Sequence, residues 1–250
     1  MRYLIISDIH ANLVALETVL ADAELSTIDE IWCLGDVVGY GPNPNECVAR
    51  VRELATERCL VGNHDYAALD RIDISDFNPE ARRAVMWTRE QLTPESAAFL
   101  EKLPGRMDSV AEHFTLAHAS PRHPIWEYIL SPAVAAENFP AFPTQFCLVG
   151  HTHQPVIFSQ DAQSGLVEML QPVFDTPIAI AEANGVRLII NPGSVGQPRD
   201  GDPRASYAIY DDEMGALMYR RVPYNIAETQ ARMAAHKLPE RLIARLDYGW

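Results

Sequence analysis

Seven side chains of one chemical kind stand at the ends of apolar runs in this 250-residue chain. Asp8 and His10 close "YLIISDIH", and Asp36 closes "IWCLGD". Asn63 closes "CLVGN" and is followed directly by His64 and Asp65. His118 closes "FTLAH", and His151 and His153 close "CLVGHTH". Carboxylates, imidazoles and an amide oxygen are all metal ligands. No thiolate stands at these positions, which disfavours a soft or purely structural zinc site. One divalent ion takes about four to six ligands. Seven converging candidates exceed one open site and suit two ions that share a carboxylate. Two ions ~3.5–4 Å apart clamp phosphorus for in-line displacement.

Each piece taken singly has a plainer use. Asp8 could cap the helix that follows it, and Asp36 could serve the glycine turn after it. Asn63 could be a left-handed turn residue. His118 could be a satisfied core histidine, and His151 and His153 two loop histidines. These readings must all hold at once, in order, each at the end of an apolar run. Five of the eight histidines fall at such ends; His113, His123 and His236 read as ordinary surface or loop residues.

The elements that must carry these groups alternate. "YLIIS" reads as a strand and "ANLVALETVLADA" as a helix, with Leu13, Leu16, Val19 and Leu20 on one face. "IDEIWCLGD" is a second strand, and "NPNECVARVRELA" a second helix with Asn45 as its cap. "RCLVGNHD" is a third strand. Strand–helix alternation implies crossovers and parallel pairing, and ligands collect where parallel strands end. The rhythm breaks over 66–105, where two proline-led helical segments form an insertion. "HFTLAHAS" resumes the strands, and Pro121 to Thr144 is a loop or short helical piece. After Pro155 the chain is rich in strands, with a hairpin signal at Asn184–Gly185. A helical tail, about 224–246, breaks at Pro239. One compact domain, 1–250, is expected.

Composition narrows the partners. The net charge is −14. Such a surface repels polyanions, so polymeric nucleic acid and anionic membranes are not expected, while a small phosphorylated substrate is. The four cysteines are scattered, with no C-x-x-C pair, and no run approaches membrane-spanning length. A reduced cytoplasmic protein is expected. Oligomeric state is left open.

The ordered series D-I-H, G-D-V-V-G-Y-G, G-N-H-D, H-A-S and G-H-T-H closely resembles the calcineurin-like metallophosphoesterase superfamily. "GDVVGYGPNP" and "INPGSVGQPRDGDPRASY" are similar to its bacterial and archaeal branch, the one related to diadenosine tetraphosphatases and serine/threonine protein phosphatases. The resemblance implies an α/β fold, a four-layer αββα sandwich of two mixed β-sheets. It implies a first metal held by Asp8, His10, Asp36 and His153. A second would be held by Asp36, Asn63, His118 and His151, with Asp36 bridging. The cofactors would be two divalent ions, manganese first, with iron, zinc, nickel or cobalt as alternatives. A hydroxide bridging the metals would attack phosphorus, His64 would protonate the leaving group, and Asp65 would orient His64.

One departure concerns substrate. Protein phosphatases and symmetric diadenosine tetraphosphatases carry an arginine shortly after the aspartate that matches Asp36, and "GDVVGYG" has none. Asn12, Arg122 and Arg199 are the candidate replacements for binding phosphate, and Trp126 and Tyr128 are candidates to stack on a base. The competing class is a metal-binding regulatory or partner-binding module on the same fold without turnover. A third is a metal-dependent hydrolase of non-phosphate substrates.

Overall fold

The run "RYLII" forms β1 (Arg2–Ile6), and its last four residues are buried. β2 (Glu30–Cys33) lies parallel to it, and α1 (Leu13–Asp22) supplies the crossover that parallel pairing needs. A computed structural model describes residues 1–55, 57–180 and 185–250. Asn184 of the expected hairpin lies outside them.

α2 (Pro44–Ala55) opens at its proline. Asn45 lies inside this helix rather than capping it, and its side chain holds Thr93 N and Gln91 O. The expected third strand shrinks to one bridge, Cys33 to Cys59. The chain turns at Gly62 into α3 (Asn63–Ala68), because the Asp65 carboxylate accepts the Gly62 amide at 2.9 Å and closes the helix start. α4 (Pro79–Gln91) and α5 (Pro94–Leu100) follow, capped by the Asn78 and Thr93 side chains.

Two strands come next. β3 (Arg106–Val110) was not legible, since only Val110 of its five residues is buried. It pairs through an irregularity with β4 (Phe114–Ala117). α6 (Pro132–Asn138) leads to β5 (Phe146–Leu148). The strand-rich half contains β6 (Val156–Asp161), β7 (Val167–Leu170), β8 (Pro177–Ala179), β9 (Val186–Asn191), β10 (Ala205–Asp211) and β11 (Ala216–Val222). α7 (Ile226–Ala235) and α8 (Glu240–Ala244) form the tail.

The strands make two mixed sheets, ordered β2-β1-β10-β11-β8 and β3-β4-β5-β9-β6-β7. Residues alternate between faces along each strand. Ile5, Trp32, Tyr210 and Tyr219 of the first sheet therefore meet Phe114, Phe146, Ile157 and Ile190 of the second in the inner core. Leu4, Ile6 and Ile209 face outward onto Leu16, Val19, Val48 and Val51 of α1 and α2. Cys147, Phe158 and Ile189 face outward on the other side, towards Ala135 and Phe139. The result is the four-layer αββα sandwich. The single crevice of a parallel sheet is replaced by the rim where β1 and β2 of one sheet end beside β4, β5 and β9 of the other. A fourth cluster joins the two helical regions: Phe77, Ala81 and Val85 pack with Met233, Leu238, Leu242, Leu246 and Tyr40.

Candidate metal centre

The loops at this rim are held in backbone conformations that most residues avoid. Asp8, His10, Asp36, His151 and His153 all have positive φ, between 50° and 64°. Left-handed non-glycine residues are disfavoured by roughly 1–3 kcal/mol each and persist where surrounding structure over-determines them. Here the bracing is cross-chain. Asp8 N donates to Gly35 O, His10 N to Asp36 O, Gly150 N to His118 O, and Gly196 N to Asp8 O, all at 2.7–3.0 Å. Gly62 and Gly150 permit the packing: a Cβ at the first would collide with Asp36 Oδ1, and at the second with Ser7 Oγ and Asp8 Oδ2.

The side chains so held form two overlapping groups. Ligand atoms of Asp8, His10, Asp36 and His153 lie within 4.8 Å of one another, as do those of Asp36, His118 and His151. Asn63 joins the second group, its Oδ1 3.2 Å from His118 Nε2. All seven residues are buried. Asp36 belongs to both groups. Its Oδ1 accepts the His64 amide at 2.8 Å, and its Oδ2 is buried without a hydrogen-bond partner, 3.5 Å from both His10 Nε2 and His118 Nε2.

Three imidazoles are oriented from behind. The Nδ1 atoms of His10, His118 and His153 face the carbonyls of Val38, Leu34 and Gln197 at 3.2, 2.8 and 2.5 Å. The bond each Nδ1–H makes assigns the tautomer and turns Nε2 inward, the usual support of a metal-binding histidine. His10 Nε2 and His153 Nε2 then stand 3.0 Å apart. Two bare lone pairs at that distance repel unless a cation or proton lies between them. His151 Nε2 is also buried and unpartnered. These orphaned atoms, with the oxygen-and-nitrogen donor set, fit a pair of divalent cations sharing Asp36.

The electrostatics agree. Burial holds His10 and His153 well below the usual imidazole range. Burial, then the charge of His118, brings His151 down to about 3. All three are therefore neutral and able to ligate. His118 is different. Burial acts to lower it, but the charge of Asp36, 3.5 Å away, prevails and raises it to about 9. Burial pushes Asp8 up to about 7 against the charge of His118. Asp36 sits below the carboxylate range: burial works against its charge, and His118 outweighs burial.

His64 follows Asn63 in the first turn of α3, its ring 4.9 Å from that of His10 and 4.3 Å from that of Tyr40. Its Nδ1 is buried and unpartnered, and burial brings its pKa down to about 4. Asp65 does not orient it. Both Asp65 oxygens are taken by backbone amides, Oδ1 by Val38 N and Oδ2 by Gly62 N, so this carboxylate braces the loop that carries Asp36.

Among the candidate phosphate binders, Asn12 is structural. Its Oδ1 caps α1 at Ala15 N and accepts the Thr229 hydroxyl, while its Nδ2 donates to Gly196 O. Arg122 is on the surface, engaged by Glu127 and Glu137. Arg199 is at the centre. Its charge acts on Asp8, His10, His64, His151 and His153, its Nη2 donates to Gln197 Oε1 at 2.9 Å, and its Nε is buried without a partner. Tyr128 lies against the His151 ring at 4.1 Å, and Trp126 stands edge-on to Phe77.

Sequence reasoning missed Ser7, which donates to Asp8 Oδ2 at 2.7 Å, and Tyr40, whose ring packs on His10 and His64. It also missed Ser194 and Gln197, which tie the "NPGSVGQ" loop to Asp8 O and to His153. The density of glycine and small polar residues in that motif was the available signal.

Comparison with known proteins places this geometry. A metallophosphoesterase from Sphaerobacter thermophilus is 51% identical in sequence, superposes with a TM-score of 0.89, and covers 100% of this chain and 99% of its own. An uncharacterized protein of Methanocaldococcus jannaschii is 40% identical over 250 residues, 98% of this chain and 97% of that protein. A symmetrical bis(5'-nucleosyl)-tetraphosphatase of Pectobacterium carotovorum is 32% identical over 105 residues, only 37% of its length. Residues 1–215 match the calcineurin-like phosphoesterase superfamily domain. With its motifs at one rim of the shared sandwich, this chain belongs to the calcineurin-like phosphoesterase superfamily.

Proposed function

We propose that this chain is a phosphatase or phosphodiesterase of small phosphorylated molecules, nucleotides included, that works with two divalent ions. The observation that carries the reading is Asp36, one buried carboxylate common to two buried ligand groups. Asp8, His10, Asp36 and His153 would hold one ion, and Asp36, Asn63, His118 and His151 the other. Such a pair supplies a nucleophile from water near neutral pH and takes up charge that develops on phosphoryl oxygens. Manganese is the first ion to test; iron, zinc, nickel and cobalt suit the same donors.

The chain's own groups divide the remaining work. His64, beside the cluster with an unpartnered Nδ1, donates a proton to the leaving-group oxygen. The negative charge of a phosphoryl group brought next to it raises its pKa for that role. Arg199 offers a guanidinium to the non-bridging oxygens. The acidic surface favours small substrates over polyanions. The four cysteines are buried and free, which suits a reducing compartment such as the cytoplasm. No helix among the described residues is long and apolar enough to cross a membrane.

The test is hydrolysis of a chromogenic monoester and a chromogenic diester with added manganese, by the wild type and Asp36→Asn. Equal rates in the two proteins would defeat the reading. Inhibition by inorganic phosphate separates a phosphoesterase from a hydrolase of other substrates.

A further inference from the structure

The loop after β4 brings two aromatic rings to two different parts of the metal centre. Tyr128 lies against the His151 ring at 4.1 Å, tilted by 31°. Trp126, two residues earlier, stands edge-on to Phe77 at 5.5 Å, and Phe77 is 5.0 Å from the ring of His64. The contacts continue inside the centre. The His64 ring is 4.9 Å from that of His10, and the His151 ring 5.2 Å from that of His118. His10 and His118 both approach Asp36 Oδ2 at 3.5 Å. These contacts close a circuit from Trp126 through His64 and the ligands to Tyr128, so the loop borders the centre.

A single exposed aromatic ring needs no explanation. Here Ile125 and Ile129 turn onto apolar clusters, whereas Trp126 and Tyr128 stay 42% and 46% exposed. The loop that presents them is braced. Glu127, between the two rings, accepts from Arg122 and, at 2.7 Å, from Asn138 Nδ2 of α6. His123 N donates to Ser120 Oγ, and Ala119 N to Pro124 O, both at 2.8 Å. Arg122 is thus part of the support for this loop. Rings ordered in advance lose less freedom when a ligand lands on them, and an open ring face suits a flat, aromatic one.

The place of His64 says which part of a substrate meets these rings. His64 serves the leaving-group oxygen, so the leaving group extends on its side of the centre. A ring joined directly to that oxygen would rest at His64 itself. Trp126 stands one ring farther out, beyond Phe77, within reach of a base carried on a sugar.

We propose that Trp126 and Tyr128 determine specificity for the leaving group, as a stacking face for the base of a nucleotide whose phosphate is bound at the metal centre. The substrate class is then nucleotides that release a nucleoside. The inference rests on reading the centre as a phosphoesterase.

The test compares the wild type with Trp126→Ala, Tyr128→Ala, Trp126→Phe and Tyr128→Phe, all loaded with manganese. Melting temperature and metal content establish that each is folded and loaded. The first readout is the ratio of kcat/KM for a nucleoside 5'-monophosphate to that for ribose 5-phosphate, the same ester without a base. The second is calorimetric: binding of a nucleoside phosphonate, whose C–P bond resists hydrolysis, relative to methylphosphonate. Loss of a stacking ring should lower both ratios by about tenfold in each alanine variant, and the phenylalanine variants should keep most of the preference. Ratios within about twofold of the wild type in either alanine variant would overturn the proposal. So would phenylalanine variants that fall as far as the alanine ones, or a wild type with no preference for the base. Should the wild type hydrolyse no phosphoester, the phosphoesterase reading fails, and the phosphonate titration alone decides the stacking site.

Discussion

The amide of His64 donates to Asp36 Oδ1 at 2.8 Å, which leaves Asp36 Oδ2 free and 3.5 Å from the Nε2 atoms of both His10 and His118. One oxygen is fixed by the start of α3, and the other is turned towards both ligand groups. Asp36→Asn replaces an anion with a neutral amide at the point both groups share. Metal content should fall from two ions per chain to one or none, and turnover by more than about 100-fold. Elemental analysis and the monoester assay on the same sample check this; two ions retained would exclude a shared ligand.

Gly62 lies against that carboxylate. A methyl group there collides with Asp36 Oδ1. Gly62→Ala should cost about 1–3 kcal/mol of stability through overpacking and weaken both ions together. Thermal melts with and without manganese measure the two effects. A melting temperature equal to the wild type's in both conditions would contradict the packing described.

Metal binding should release protons. In the metal-free protein His118 titrates at about 9, above its unfolded value, because Asp36 holds its proton against the effect of burial. That contribution to stability is complete below about pH 6.5 and is lost as pH rises through about 9. Burial lifts Asp8 to about 7, so Asp8 also carries a proton below that pH. Both groups ligate deprotonated, so affinity for manganese should rise across this window, with about one to two protons released per chain. Calorimetry at pH 7 in buffers of different ionisation enthalpy counts them; zero release would mean that His118 is neutral before the ion arrives.

His64 should matter in proportion to the leaving group. Replacement of a general acid costs about 10²–10⁴-fold when the leaving oxygen needs a proton. His64→Ala should lose that much with an alkyl phosphoester and far less with p-nitrophenyl phosphate. A slope of rate against leaving-group pKa that is steeper in the variant is the diagnostic. Parallel slopes would remove His64 from the proton transfer.

Asn12 joins three parts of the chain, α1, the Gly196 loop and α7. Asn12→Ala should cost about 1–3 kcal/mol, from a lost cap and an unpaired Thr229 hydroxyl. Asn12→Ser, which keeps the cap, should recover part of it in a chemical denaturation series. Full recovery by Ser would mean that the bond to Thr229 contributes nothing.

Local chemistry made much of this protein legible in one dimension. Apolar runs ending in Asp8, Asp36, His118 and His151 read as strands that deliver polar groups, because strand burial and ligand type are written in neighbouring residues. The proline-led helices α4 and α5 were legible for the same reason. Their caps lie within three residues. What the linear chain does not carry is contact between distant segments. The division of the strands into two sheets, the brace that Asp65 gives to Gly62 and Val38 instead of His64, and the use of Asn12 as a strut all depend on which loops meet. β3 escaped detection because it buries one residue of five. The docking of the tail onto the loop that follows Arg199, through Gly201 N and Gly249 O, is likewise a contact between distant segments. Residue type is a local property, whereas a site is defined by distances between residues far apart in the chain, and those distances exist only after the chain has closed.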